Sequence, residues 1–500
     1  MITLEDCKQA GEYNYKGLST DTKPTNCAVN SLFLELDTGI FYFFTGTEWK
    51  DIKEKITLGE TEPTGTIAIT ENGIFDVHDY AEADVDVPAI TPAGAISITE
   101  NGTYDVANYA EASVDVDATV NFNLPAFTRT TPTELSQARS VLAATSVGNY
   151  ALFGGGAYAR STVDAYNTSL TKSTPTELSQ ARRWLAATTV GNYALFGGGY
   201  SSNYFSTVDA YSTSLTRTTP TELSIARCDL AATTVGNYAL FGGGAAYSSS
   251  NTTKVDAYDN SLTRTTPTEL SQGLRADLAA TTVGNYALFG GGARNATNAT
   301  YYATVDSYNT SLTRTTPTVL SAGRTYLAAT TVGNYALFGG GYSYSSGVGS
   351  YYYATVDAYN TSLTRTTPTE LSQARSYLAA TRVGNYALFG GGYDENYVSS
   401  STVDVYDTLL TRTISTSLSQ ARRQLAATTV GNYALFGGGY DNDYSNIVDA
   451  YRPASYNIQV FPGTKYSFNG STEQTSSTWQ TISMQGEVTG YMKVKDATIN

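Results

Sequence analysis

Histidine is almost missing from this chain: a single residue, His78, in 500. A Ser-His-Asp or Cys-His catalytic set, or a histidine-based metal centre, is therefore excluded from most of its length. Cysteine is nearly as scarce. Cys7, Cys27 and Cys228 are too few for a disulfide framework or a thiolate zinc site. Positive charge is short as well: 30 Lys and Arg stand against 45 Asp and Glu, for a net charge of -15. Phosphate binding needs clustered cations, so no nucleic-acid partner is expected. Long apolar runs are lacking too. The most apolar stretch, LFLELDTGIFYFF, is broken by Glu35, Asp37 and Gly39, and no membrane insertion is expected. The start, MITLEDCKQAGEY, carries neither a basic segment nor an apolar core, so no secretory signal is read there.

What the chain does have is repetition. GNYALFGGG begins at Gly148, Gly191, Gly236, Gly284, Gly333, Gly384 and Gly431, seven times in all. VDAY or a near variant follows each copy, with its Val at Val163, Val208, Val255, Val305, Val356, Val403 and Val448. A third phrase of the form LTRTTPTELS starts at Phe127, Leu170, Leu215, Leu262, Leu312, Leu363 and Leu410. Successive GNYALFGGG copies are 43, 45, 48, 49, 51 and 47 residues apart. Nearly all of that variation lies between GGG and VDAY, where the seven segments hold 6, 8, 10, 12, 14, 10 and 8 residues. The remaining frame is constant but for one extra residue in LSQGLRADL (270–278).

Each copy reads as four short strands: a, LAATTV; b, NYALFGG; c, TVDAY; d, LTRTTP. They are rich in Thr, Val, Tyr and Phe, are bounded by Gly, Asn, Pro and Ser, and keep no helical period. Four strands per repeat of this length predict an all-β, seven-bladed β-propeller over 121–452. The phase is informative. The first strand d precedes the first strand a, and the last strand c has no strand d after it. The N-terminal strand d is therefore expected to complete the seventh blade and remove the open edges.

These residues resemble the kelch repeat. The Gly run ending strand b, the Tyr of VDAY and the Arg of LSQAR (Arg139, Arg182, Arg227, Arg275, Arg324, Arg375, Arg422) all fit, over about two thirds of the chain. The Trp usual in strand d of kelch repeats is replaced by Leu, Thr and Arg or Lys. The histidine ligands of the kelch-like galactose oxidases and the Ser-x-Asp-x-Gly-x-Thr-Trp boxes of sialidase propellers are missing from the ring. Residues 17–51 look like a small β module of tailed-phage structural proteins, and 1–60 are read as an N-terminal β module for virion attachment. Residues 61–120 hold a tandem, ITENGIFDVHDYAEADVDV (69–87) and ITENGTYDVANYAEASVDV (98–116), similar to segments of phage tail proteins. Residues 453–500 look like a further small β domain. These resemblances imply a virion protein: a tail or receptor-binding component, or a structural or decoration protein. Its partners would be other virion proteins and a host cell-surface glycan or protein, with homo-oligomers open.

Strand parity places the b–c and d–a connections at one end of the ring. The a–b and c–d turns fall at the other, where Val-Gly-Asn and NTSL hardly vary. The d–a segments vary in the two residues before LAAT, from Ser140-Val141 to Arg423-Gln424. The b–c segments total 68 residues, of which 15 are Tyr, a density that suits a paratope-like surface. Expected ligand-binding residues are Trp184, Tyr200, Tyr204, Tyr301, Tyr302, Tyr326, Tyr342, Tyr344, Tyr351, Tyr352, Tyr353, Tyr377, Tyr393, Tyr397, Tyr440 and Tyr444. Even segment lengths predict extended b–c hairpins, because residues added in pairs keep the facing of side chains. No enzymatic activity and no cofactor or metal are expected. A depolymerase would have to use Asp394, Glu395, Asp441 or Asp443 at the loop tips. The repeated Arg of LSQAR and Asp of VDAY are read as pairs that anchor loops to blades.

Overall fold

The structure is a computed structural model. It describes residues 3–5, 14–17, 20, 22–23, 32–35, 41–44, 47–51, 96–98 and 118–124, and 126–494 except 248–251, 273–274, 295–298, 461–462 and 486–487. The described residues are all strand, turn or loop. No helix among them is long and apolar enough to cross a membrane. The chain divides into two compact units, Pro125–Ser455 and Met1–Leu124 with Tyr456–Asn500.

Pro125–Ser455 holds seven four-stranded antiparallel sheets. In the first, Ala143–Val147, Tyr150–Gly154, Val163–Asn167 and Lys172–Ser173 are strands a to d. Strand a alternates buried and half-buried residues. Leu152, Phe153, Val163, Asp164, Ala165 and Tyr166 are wholly buried, because the two middle strands are covered on both faces. In the seventh sheet the fourth strand is Phe127–Thr130, paired so that Tyr451 faces Arg129 and Ala450 faces Thr130. The N-terminal strand d thus lies where the phase of the repeat places it. Repeated four-stranded sheets of this kind fit a β-propeller.

Packing between sheets explains the invariant phrases. Val147, Leu152 and Val163 of the first sheet share a core with Leu185, Phe196 and Tyr211 of the second. Val430, Leu435 and Val448 of the seventh share one with Leu142, Phe153 and Tyr166 of the first. The first Gly of each GGG leaves room for the next sheet's Phe: a Cβ on Gly154 would lie 2.8 Å from the Phe196 ring, and one on Gly437 2.6 Å from Phe153. The second Gly has φ near +70°, and a Cβ on Gly155 would stand 2.6 Å from the Arg182 carbonyl oxygen. Any larger residue breaks both contacts.

Arg and Asp of the repeat form buried pairs. Arg139, Arg182, Arg227, Arg324, Arg375 and Arg422 reach Asp164, Asp209, Asp256, Asp357, Asp404 and Asp449 at 2.6–2.8 Å, and Arg275 pairs with Asp306. Each of these Asp carboxylates also faces a cation of strand d, such as Arg412 at 3.2 Å from Asp404 or Arg129 at 3.1 Å from Asp449. Asp164 accepts the Ser136 N–H at 3.1 Å, and the Tyr166 hydroxyl donates to the Thr133 carbonyl at 2.6 Å. Asp and Tyr of VDAY therefore hold the incoming d–a segment on its sheet. Burial without partners would be prohibitive for both charges.

In the other unit, Thr3–Glu5, Asn14–Gly17, Leu32–Glu35, Phe41–Phe44 and Trp49–Asp51 form a five-stranded sheet. A second five-stranded sheet joins Ile96–Ile98 and Ala118–Leu124 to Lys465–Phe468, Gln474–Thr475 and Val488–Val494. Strands from either side of Pro125–Ser455 in sequence thus share one sheet. The ITENG tandem, except Ile98, lies outside the described residues, as do His78, Cys7 and Cys27.

Candidate functional site

The two variable segments of each repeat are hydrogen-bonded to one another. Arg183 pairs with Tyr200, Cys228 with Ala245, Ala276 with Ala293, Thr325 with Tyr342, Ser376 with Tyr393 and Arg423 with Tyr440. In the first repeat the Ala157 N–H donates to the Ser140 carbonyl at 2.8 Å. The longest b–c segment is a hairpin, Tyr342–Ser345 against Gly349–Tyr352. It does not continue strands b and c. Gly340 (φ 70°) and Gly341 (φ 113°) turn the chain, and the hairpin forms a two-stranded sheet of its own. Even length is therefore explained by pairing within the segment. Ala293–Arg294 and Thr300–Tyr301 pair likewise in the fourth repeat.

Most of the expected tyrosines are brought together, but largely as a packed layer. Ring contacts run from Tyr301 to Tyr342 (6.0 Å), Tyr352 (5.2 Å) and Tyr393 (5.6 Å), then to Tyr377 (5.6 Å) and Tyr326 (3.8 Å, stacked). A second group joins Trp184, Tyr200 and Tyr204, and a third joins Tyr440, Tyr444 and Tyr158. The Arg183 guanidinium lies 4.1 Å over Trp184, and Arg423 lies 5.0 Å from both Tyr393 and Tyr440. Tyr353 shares a 2.8 Å hydrogen bond with Ser343 and sits 5.7 Å from Arg324; its neighbour in kind, Tyr302, is half-buried. Tyr344, Tyr351 and Tyr397 are the exposed members of the expected set. Tyr158 and Tyr247, more exposed than any of these at 70% and 74%, lie outside that set. They lie in the first and third variable segments, and their place in the tyrosine count marks them.

The d–a segments meet in a second feature. Val141, Trp184, Asp229, Asp277, Tyr326, Tyr377 and Gln424 occupy one equivalent position in the seven repeats. Each N–H donates to the carbonyl of the residue before it in this series, and Val141 donates to Gln424, at 2.9–3.2 Å. The circuit returns to its start. All seven have φ between 49° and 55°, a left-handed conformation that non-glycine residues rarely take, and repetition of the circuit sustains it. With the Leu that follows each, they line a cavity of about 370 Å³.

Asp229 and Asp277 stand side by side in this wall, their backbones joined by a 2.9 Å hydrogen bond. Burial pushes the Asp229 carboxyl up to about 6, opposed by the Cys228 thiol, which donates to it at 2.9 Å, and by Arg183. Burial raises Asp277 well above the usual range, the charge of Asp229 raises it further, and the Tyr326 hydroxyl opposes this. This acid pair was missed as a pair: equivalent positions in consecutive repeats read Cys-Asp and Ala-Asp, and that was the available signal. Two of the tip acids hold their own loops. Asp394 caps its own turn through the N–H groups of Asn396 and Val398, and Asp443 accepts the Tyr444 N–H. Among the described residues no group of three or more His, Cys, Asp or Glu is placed to hold a metal ion.

No family model matches the chain, and no curated protein matches it. A solved structure of YjhT is similar at 12% identity with a TM-score of 0.48, over 57% of this chain and 99% of that one.

Proposed function

We propose that the seven sheets are the blades of one closed propeller and that the protein is a non-enzymatic recognition module. Its variable face takes a host-surface ligand, a polysaccharide before others. One observation carries this reading: both variable segments of every repeat are paired together at one end of their sheet, while the turns at the other end hardly vary. Tyr offers rigid amphipathic area, and Ser, Asn and Gly supply adaptable hydrogen bonds. Ring faces stack on pyranoses while hydroxyls reach their oxygens. The resemblance of the flanks to phage modules supports reading it as a virion protein, a tail or receptor-binding component attached through them to other virion proteins.

Trimming 342–355 to the six residues of the first repeat tests this. The variant should melt as the parent does and lose binding to host cells and their glycans. Unchanged binding overturns the reading.

A further inference from the structure

The cavity at the backbone circuit has a chemical bias that the tyrosine layer lacks. In order round the circuit its wall reads Trp184, Asp229, Asp277, Tyr326, Tyr377, Gln424 and Val141. Two carboxyls are neighbours, and an aromatic ring flanks the pair on each side. Among the described residues no Lys or Arg lines the cavity. We propose that it binds a saccharide unit carrying a free, protonated amine, with the ammonium between Asp229 and Asp277 and the sugar ring against the flanking aromatic faces. This rests on the reading of the variable face as a glycan-binding surface and names which glycan feature is read.

Two half-buried carboxyls in one wall disfavour each other's ionisation, and neither makes an ion pair among the described residues. Arg183 acts on Asp229 while stacked over Trp184 and Tyr200. The groups facing the pair are otherwise the Cys228 thiol and the Tyr326 hydroxyl, which can donate hydrogen bonds but bring no positive charge. A cation entering the cavity favours the ionised form of the pair and also gains from the aromatic faces. A neutral or acetylated unit gains neither. Gln424 and the tyrosine hydroxyls remain for sugar hydroxyls. The volume, about 370 Å³, lies at the small end of ligand pockets, roughly 300–1,000 Å³. It suits a terminal sugar and excludes a folded partner.

The test is calorimetric titration of the full chain with chitosan tetrasaccharide (free amines) and chitin tetrasaccharide (acetylated), at a pH where the amines are protonated. The deacetylated ligand should bind at least about tenfold more tightly. Asp229→Asn together with Asp277→Asn should abolish that preference. Asp394→Asn with Asp443→Asn, which removes two carboxyls at the loop tips instead, should leave it intact. Should the circuit variants melt lower, Trp184→Ala supplies the second reading and should weaken the deacetylated ligand about tenfold. Equal binding of the two tetrasaccharides, no binding of the deacetylated one, or a preference that survives the double substitution overturns the proposal. Cell binding by the parent without tetrasaccharide binding sinks this inference and leaves the recognition reading standing. Tetrasaccharide binding with loop-trimmed protein still attached to cells does the reverse.

Discussion

At the scale of single residues, the acid pair sets a pH signature. The folded-state carboxyl of Asp277 is raised by burial and by Asp229, so it keeps its proton to higher pH than in the unfolded chain. A raised carboxyl opposes folding once the pH exceeds the unfolded value, near 3.9, and its penalty grows until the folded group ionises. Asp277→Asn removes that penalty. Its melting temperature should match the parent near pH 3.5 and exceed it by a few degrees at pH 8. An offset that is constant with pH contradicts the assignment. The position of this pair was visible in the sequence as variable, but its meaning was not. Nothing in Cys-Asp or Ala-Asp tells that two repeats bring their carboxyls into one wall; the backbone circuit does that.

At the scale of elements, strand ends depend on one residue. Six of the repeated tyrosines donate to a Thr carbonyl of the incoming d–a segment, as Tyr406 does to Thr369 at 2.7 Å. Tyr451 is buried and its hydroxyl has no such partner. The segment entering its sheet carries Ser415 where the others carry Pro, for example Pro368. Pro stops the ladder for want of an N–H. Ser415 instead donates to the Val403 carbonyl at 3.0 Å, and strand d runs on to Ile414. Tyr406→Phe should therefore cost about 1 kcal/mol, while Tyr451→Phe should be neutral or stabilising. Denaturant unfolding of both variants checks this, and equal losses refute it. Strand identities, their order and the place of the N-terminal strand d were legible because each phrase recurs with its own turn residues. The hairpin's separation from strands b and c was not, since length parity is the same for a continued hairpin and a detached one.

At the scale of the whole molecule, Phe127–Thr130 ties the two ends of the sheet series together. It supplies the last strand of the seventh sheet, the Arg129 partner of Asp449, and Phe127, whose ring meets Tyr386 edge-on at 5.0 Å. Removing 126–130 leaves Asp449 with Arg422 and the Ser419 N–H and exposes the edge of strand c. The shortened protein should unfold at lower denaturant, with loss of a single cooperative transition. Retention of one sharp transition at the parent midpoint would falsify this role. Near-identity among repeats makes the tie more important, because locally any strand d suits any strand c.

The left-handed circuit has one further consequence. Its seven positions accept Val, Trp, Asp, Tyr and Gln without change of backbone, so conformation there is indifferent to the side chain displayed. Each position can be rewritten with the backbone unmoved, like type set in a fixed frame. A lineage, or an engineer, can change what such a mouth tastes by editing single letters while leaving every core contact in place.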